Sequence, residues 1–216
     1  VEGRDGWTFG KPMTRTKEYS AISKKIPARA APLEFHGEIY DIPLTGPTAS
    51  GLGRPLRSIA HGNPDVKFFT ASITPAGLRN SGEVADGNLP IFYSPERPDI
   101  VTVPTIEGRL KAGRPGNLDG YDVAPYVRAK LGPDLQACRD AIKPELALYI
   151  GGMGARKKNY YNDVAIRLGS EGEAKAIQDL YLDGKRNEAA ALVPAALVDE
   201  LSLCGSADRI KDRLSV

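Results

Sequence analysis

Apolar positions recur at helical spacing through the last third of the chain and gather in short unbroken runs through its middle. Leu135, Cys138, Ile142 and Leu146 fall three to four residues apart, the stripe of a helix with one buried side. Asp134 stands at its N-cap, the pattern runs to about Tyr149, and Pro144 should bend it by deleting an i→i−4 bond. Further helices are predicted over Tyr160–Leu168, Glu171–Asp183, Asn187–Val193, Ala195–Leu203 and Ala207–Leu214, punctuated by Gly169, Gly184, Pro194 and Gly205. Ser206 caps the last of them.

In the first half the period changes. Residues 1–12 hold Gly3, Gly6, Gly10 and Pro12 around Trp7 and Phe9, a loop that packs aromatics. Thr14 is placed to cap a helix to about Lys25, with Tyr19, Ile22 and Ile26 as its stripe and Pro27 as its stop. Leu33 to Leu44 reads as a small hairpin about a His36-Gly37 turn, which makes His36 a turn residue. Residues 45–64 are too rich in Gly and Pro for anything but loop. Strands are expected over Val66–Ile73, Val84–Tyr93 and Asp122–Leu131, with helices over Gly77–Glu83 and near Ile106–Ala112 between them. That alternation is the signature of a parallel sheet.

Composition narrows the function classes. The net charge is +2 and no basic face is interleaved with aromatics, which argues against nucleic acid. No apolar run reaches a membrane span and no signal peptide opens the chain, so a cytoplasmic protein is expected. Cys138 and Cys204 sit on apolar segments read as helical, the placement of a buried, reduced pair. With only His36 and His61 besides, no metal site is expected.

Candidate chemistry gathers at Ile150-Gly-Gly-Met-Gly-Ala-Arg-Lys-Lys-Asn159. Gly151, Gly152 and Gly154 expose backbone N–H groups, Arg156 to Lys158 add cations, and Asn159 caps the helix that follows. Together these make an anion site, for phosphate or carboxylate; the bland alternative is a helix corner with solvated bases. The spacing matches neither the P-loop nor the dinucleotide fingerprint.

Several stretches together resemble the luciferase-like oxidoreductases that use the deazaflavin coenzyme F-420. They are Val1-Glu-Gly with Phe9-Gly-Lys-Pro12, Gly51-Leu-Gly-Arg-Pro-Leu56, Glu83-Val-Ala-Asp-Gly87 and Leu89-Pro-Ile-Phe-Tyr-Ser-Pro-Glu96. To these add Leu146-Ala-Leu-Tyr-Ile-Gly-Gly-Met-Gly-Ala-Arg156, Lys158-Asn159, Tyr161-Asn-Asp163, Ile177-Gln-Asp-Leu-Tyr-Leu182 and Leu197-Val-Asp-Glu-Leu-Ser-Leu203. The resemblance covers the whole chain as a single domain. It implies a (β/α)8 TIM barrel of bacterial luciferase type, present here in part, with residues 151–216 as a mostly helical C-terminal segment. The cofactor-binding positions it implies are Ala71, Ser72, Ile73 and Thr74 at one strand exit and Pro90, Ile91 and Phe92 at the next. The coenzyme carries a phosphate and a glutamate tail, which gives Gly151, Gly152, Gly154 and Arg156 a ligand.

The family it resembles usually shows Trp where this chain has Asn88, Gly-Pro where it has Thr74-Pro75, and an aromatic where it has Arg4. Three strands are counted against eight, so the resemblance places four before Val1 and one after Val216. The implied function is hydride transfer between reduced F-420 and a small organic substrate, in a dimer or with a second chain supplying strands. The neighbouring readings are an FMN-dependent monooxygenase and a non-catalytic truncated paralogue or partner chain. No catalytic acid or base is assigned; Tyr93 and Glu96 are the nearby candidates, each better explained as structural.

Overall fold

A computed structural model describes residues 6 and 8–215, so the readings at Val1-Glu-Gly, Arg4 and Trp7 fall outside the described residues. The chain divides into two compact units. One comprises Val1–Thr70, Ala76–Gly87 and Thr105–Asp122; the other comprises Ala71–Pro75, Asn88–Pro104 and Val123–Val216.

In the first unit, α1 spans Pro12–Ala28, opening on Pro12 rather than on a Thr14 cap. Pro27 lies inside its last turn, and the helix stops where Arg29 turns left-handed at φ 49° and donates to Lys25 O. Of the expected stripe only Ile22 is buried; Tyr19 is 61% exposed. The remaining inward place belongs to Glu18, whose carboxylate accepts the backbone N–H groups of Glu38, Ile39 and Tyr40 at 2.7, 3.0 and 2.9 Å. A carboxylate leaves water at such a position only when hydrogen bonds replace its hydration. Those three bonds hold the outer side of a hairpin, β1 (Phe35–His36) against β2 (Asp41–Ile42), antiparallel with Phe35 opposite Ile42. His36 is therefore a strand residue opposite Asp41, not a turn residue. Gly37 is forced by this arrangement, since a Cβ there would lie 2.5 Å from the Glu18 carboxyl group.

Two helices follow, α2 over Pro75–Val84 and α3 over Asp99–Lys111. The second starts seven residues before the Ile106 expected, because Pro104 is tolerated within it. Their backbones touch: a Cβ on Gly82 would sit 2.1 Å from Thr105 O, and one on Gly108 1.9 Å from Arg79 O. Strands β3 (Phe69–Thr70), β4 (Gly87–Asn88) and β5 (Asp122–Val123) form a sheet in that order. Asp122, Ala124 and Tyr126 donate in turn to the carbonyls of Asp86, Asn88 and Pro90, the even spacing of a parallel pair.

The second unit holds the larger core. The expected strand Asp122–Leu131 is interrupted at Pro125, which has no N–H to donate, and resumes as β6 (Arg128–Leu131). It pairs in parallel with β7 (Ser202–Gly205), Arg128 opposite Ser202. This strand corrects the helix expected to run to Leu203 and the position of Cys204. Helix α8 (Ala195–Leu201) ends because Ser202 goes extended, and a single polar-apolar stretch of four residues carried no sign of it.

Around this pair pack α4 (Leu135–Ala147), α5 (Tyr160–Arg167), α6 (Glu171–Leu182), α7 (Arg186–Ala191) and α9 (Ala207–Leu214). Asp134 caps α4 as expected, accepting from Ala137 N at 3.1 Å, and Ser206 caps α9. Leu146, Ile150, Ile177 and Val198 are fully buried at the centre. Both cysteines are buried and unbridged, and burial pushes the Cys204 thiol up. Beyond Ala147 the helix widens into a π turn over Leu148–Gly152, a feature that concentrates at functional sites.

Candidate functional site: the strand exits of the second unit

Ala71 to Thr74 follow β3, and Pro90 to Phe92 follow β4; both exits belong to the second unit. Two side chains fix the first. Asn88, fully buried, accepts from Ser72 N at 2.8 Å and donates to Ser72 O at 2.9 Å. Arg167 reaches from the end of α5 to donate to Ile73 O at 2.7 Å, and burial holds its guanidinium below its usual range. Peptide groups beyond the sheet are thus held by side chains.

The second exit carries backbone strain. Phe92 has φ 62°, a left-handed conformation that costs a bulky residue about 1–2 kcal/mol. What holds it is its ring, buried at 4% exposure and edge-on to Tyr149 and Tyr161 at 5.7 and 5.9 Å between centroids. Tyr149 and Tyr161 stand 4.8 Å apart in the same T-shaped manner. Burial, with Tyr149 beside it, raises the Tyr161 phenol above its usual range.

Ile91 pairs with Tyr126 in parallel, so Leu89, Ile91, Ala124 and Tyr126 share one face. Leu89 is 47% and Tyr126 62% exposed. Leu89 and Tyr126 thus offer accessible apolar surface close to the second strand exit.

The two candidate acid–base groups are shifted in opposite directions. Burial alone would raise Glu96, but Arg213 pairs with it and brings it below its usual range. Burial raises the Tyr93 phenol. Ser94, 2% exposed, donates to Glu200 at 2.5 Å and accepts from Arg97 N, so the Ser-Pro-Glu stretch is a structural corner. Among the described residues no group of three His, Cys, Asp or Glu side chains gathers to hold a metal. No helix among them is long and apolar enough to cross a membrane.

The glycine corner has a packing explanation. A Cβ on Gly151 or Gly152 would lie 2.5 or 2.4 Å from Tyr181, and one on Gly154 2.6 Å from Lys158 O. Arg156 is engaged by Asp179 and, at 3.3 Å, by Asp183. Asn159 caps α5 through Tyr161 N and Asn162 N, and donates to the carbonyls of Tyr149 and Ile150. Asn162 donates to Ile150 O and Ala174 O. The corner therefore fixes the π turn that carries Tyr149, and its cation is already balanced by two carboxylates.

One participant escaped sequence reading. Arg128, 5% exposed, lies 5.6, 5.4 and 5.1 Å from the ring centroids of Phe92, Tyr126 and Tyr149. An arginine opening a strand gives no signal of such a place.

The sequence signature described as luciferase-like monooxygenase matches residues 1–216. A Mycobacterium tuberculosis protein, whose name gives it by inference as a coenzyme F-420-dependent oxidoreductase, is 34% identical over 217 residues. That match covers 100% of this chain and 62% of the relative. The 5,10-methylenetetrahydromethanopterin reductase of Methanopyrus kandleri is 28% identical over 205 residues, 94% of this chain and 53% of its own. Among solved structures, the coenzyme F-420-dependent tetrahydromethanopterin reductase of that organism matches with a TM-score of 0.72 at 23% identity, over 94% of this chain and 54% of its own. An F-420-dependent secondary alcohol dehydrogenase, in complex with an F-420-acetone adduct, matches at 0.67 and 16%, over 100% of this chain and 56% of its own. The chain thus spans between half and two thirds of the length of these relatives, and its fold is part of the luciferase-like TIM barrel.

Proposed function

The chain belongs to the luciferase-like monooxygenase family, and from that premise we propose that it serves an oxidoreductase that transfers hydride between reduced coenzyme F-420 and a small organic substrate. The observation that carries this reading is the fixed exit at Ser72 and Ile73, gripped by Asn88 and Arg167 beside the accessible face of Leu89 and Tyr126. A site that positions a flat cofactor needs backbone already in place before binding. The names of one relative and two solved structures, which give coenzyme F-420, favour a deazaflavin over FMN.

The residues present fit such a group in two respects. The apolar strand face accommodates a planar ring, and buried guanidinium donors near Phe92 suit an anionic tail. We assign Ala71, Ser72, Ile73 and Thr74, with Pro90, Ile91 and Phe92, to holding the ring. Gly151, Gly152, Gly154 and Arg156 take a supporting role, because Tyr181 and two aspartates occupy what an anion would use. When bound, the deazaflavin supplies hydride chemistry; the protein binds, orients and excludes water. Titration with F-420 and, separately, with FMN tests the reading by quenching of cofactor fluorescence. Tighter binding of F-420 is the expected result, and FMN binding without F-420 binding refutes it.

A further inference from the structure

Six buried side-chain nitrogen or oxygen atoms among the described residues make no hydrogen bond, and two of them, Nε and Nη1, belong to Arg128. Its Nη2 donates to Glu145 Oε1 at 2.5 Å. Aromatic rings stand near the guanidinium group, but its N–H bonds lie in its own plane. Ring faces stacked on it therefore do not satisfy them. Leaving charged donors buried and unmet is costly, and natural folds rarely keep such a group without use. Two of the groups around it are open to solvent: Tyr126 is 62% exposed, and the Glu145 side chain is 43% exposed.

We propose that Arg128 is an oxyanion anchor: a phosphate or carboxylate of the ligand held at the strand exits docks on its unpartnered N–H groups, and Glu145 keeps the place until it arrives. This rests on the proposed function for the ligand's location. The chemistry is shared by two sources, the anionic tail of the coenzyme and an anionic substrate. A guanidinium fork fits either, and a lysine does not reproduce it.

The experiment is calorimetric titration of the wild type, Glu145→Gln, Arg128→Lys and Arg128→Met with three probes. These are F-420, its tail-less deazaflavin chromophore, and inorganic phosphate added to the protein with and without F-420. Removing the competing carboxylate in Glu145→Gln should tighten an anionic probe about three- to tenfold, because the guanidinium no longer has an internal partner. It should leave the tail-less chromophore unchanged. Arg128→Met should weaken the same probe about tenfold or more, with Arg128→Lys between the two. A gain on F-420 identifies the coenzyme tail as the source. A gain confined to phosphate on the F-420-loaded protein identifies the substrate. If Glu145→Gln leaves every anionic probe unchanged or weaker, Arg128 is a packing residue and the proposal fails. Glu145 is exposed enough for that variant to fold, so the test does not depend on Arg128→Met. Should the wild type bind neither deazaflavin, the proposed function falls, while the phosphate titration still decides the role of Arg128.

Discussion

Asn88 and Ser72 exchange two hydrogen bonds, the amide of one side chain closing on both polar atoms of one residue's backbone. This is what a neighbouring strand would do, performed by a residue on the strand alongside. Relatives are expected to carry Trp at this position, and Trp cannot both donate to a carbonyl and accept from an N–H. An Asn side chain can do both, and here it does.

Asn88→Ala should therefore cost about 2–4 kcal/mol of stability, the sum of two lost bonds and the unmet buried groups they leave. Denaturant unfolding measures it, and hydrogen exchange at Ser72 should accelerate. A loss under about 1 kcal/mol, the worth of a single ordinary bond, would show that the clamp is incidental.

At Phe92 the usual ranking of small residues should invert. Replacing a buried Phe by Ala typically costs about 3–5 kcal/mol. Because φ is 62° here, Phe92→Gly should be more stable than Phe92→Ala by about 1 kcal/mol, although glycine is ordinarily the worse choice. Paired melting curves of the two variants decide it.

Gly152→Ala should destabilise by about 1–3 kcal/mol, since the new methyl group meets the Tyr181 ring. In a Tyr181→Ala background most of that penalty should vanish, and the double-mutant cycle reports the difference. Equal penalties in both backgrounds would mean that the backbone of the π turn, and not the ring, demands glycine.

Asp41 sets an acid limit on the hairpin. Bonds from the Thr45 hydroxyl, from His36 and from Thr45 N lower its carboxyl from an ordinary 3.8 to about 2. A carboxylate lowered on folding adds stability above its unfolded value, and that stability is lost as pH falls through the folded one. The hairpin should therefore weaken between about pH 4 and pH 2. Asp41→Asn should flatten the pH dependence of hairpin amide exchange over that window, and an unchanged slope would place the titration elsewhere.

The helices of the last third were legible because their stripes, caps and stops agree: Asp134, Asn159 and Ser206 all cap where the pattern places them. Prolines misled where they were tolerated, at Pro27 and Pro104, because a missing bond inside a helix can be offset by packing that no local pattern records. Glu18, Arg128 and β7 were invisible for a shared reason: each is defined by partners more than about fifteen residues away, Tyr40, Glu145 and Arg128 in turn. The glycine corner was visible, but the ring it packs against was not. Glycines that admit a ligand and glycines that admit a tyrosine ring look alike until the ring is placed.

The π turn at Leu148–Gly152 makes the spacing of this segment unforgiving. The turn already holds one residue more than ordinary winding, and inserting another would turn everything beyond it by about 100°. Ile150 would leave the core, and Asn159 would lose sight of the carbonyls it now ties down. Length, rather than the identity of any one side chain, is what this stretch can least surrender.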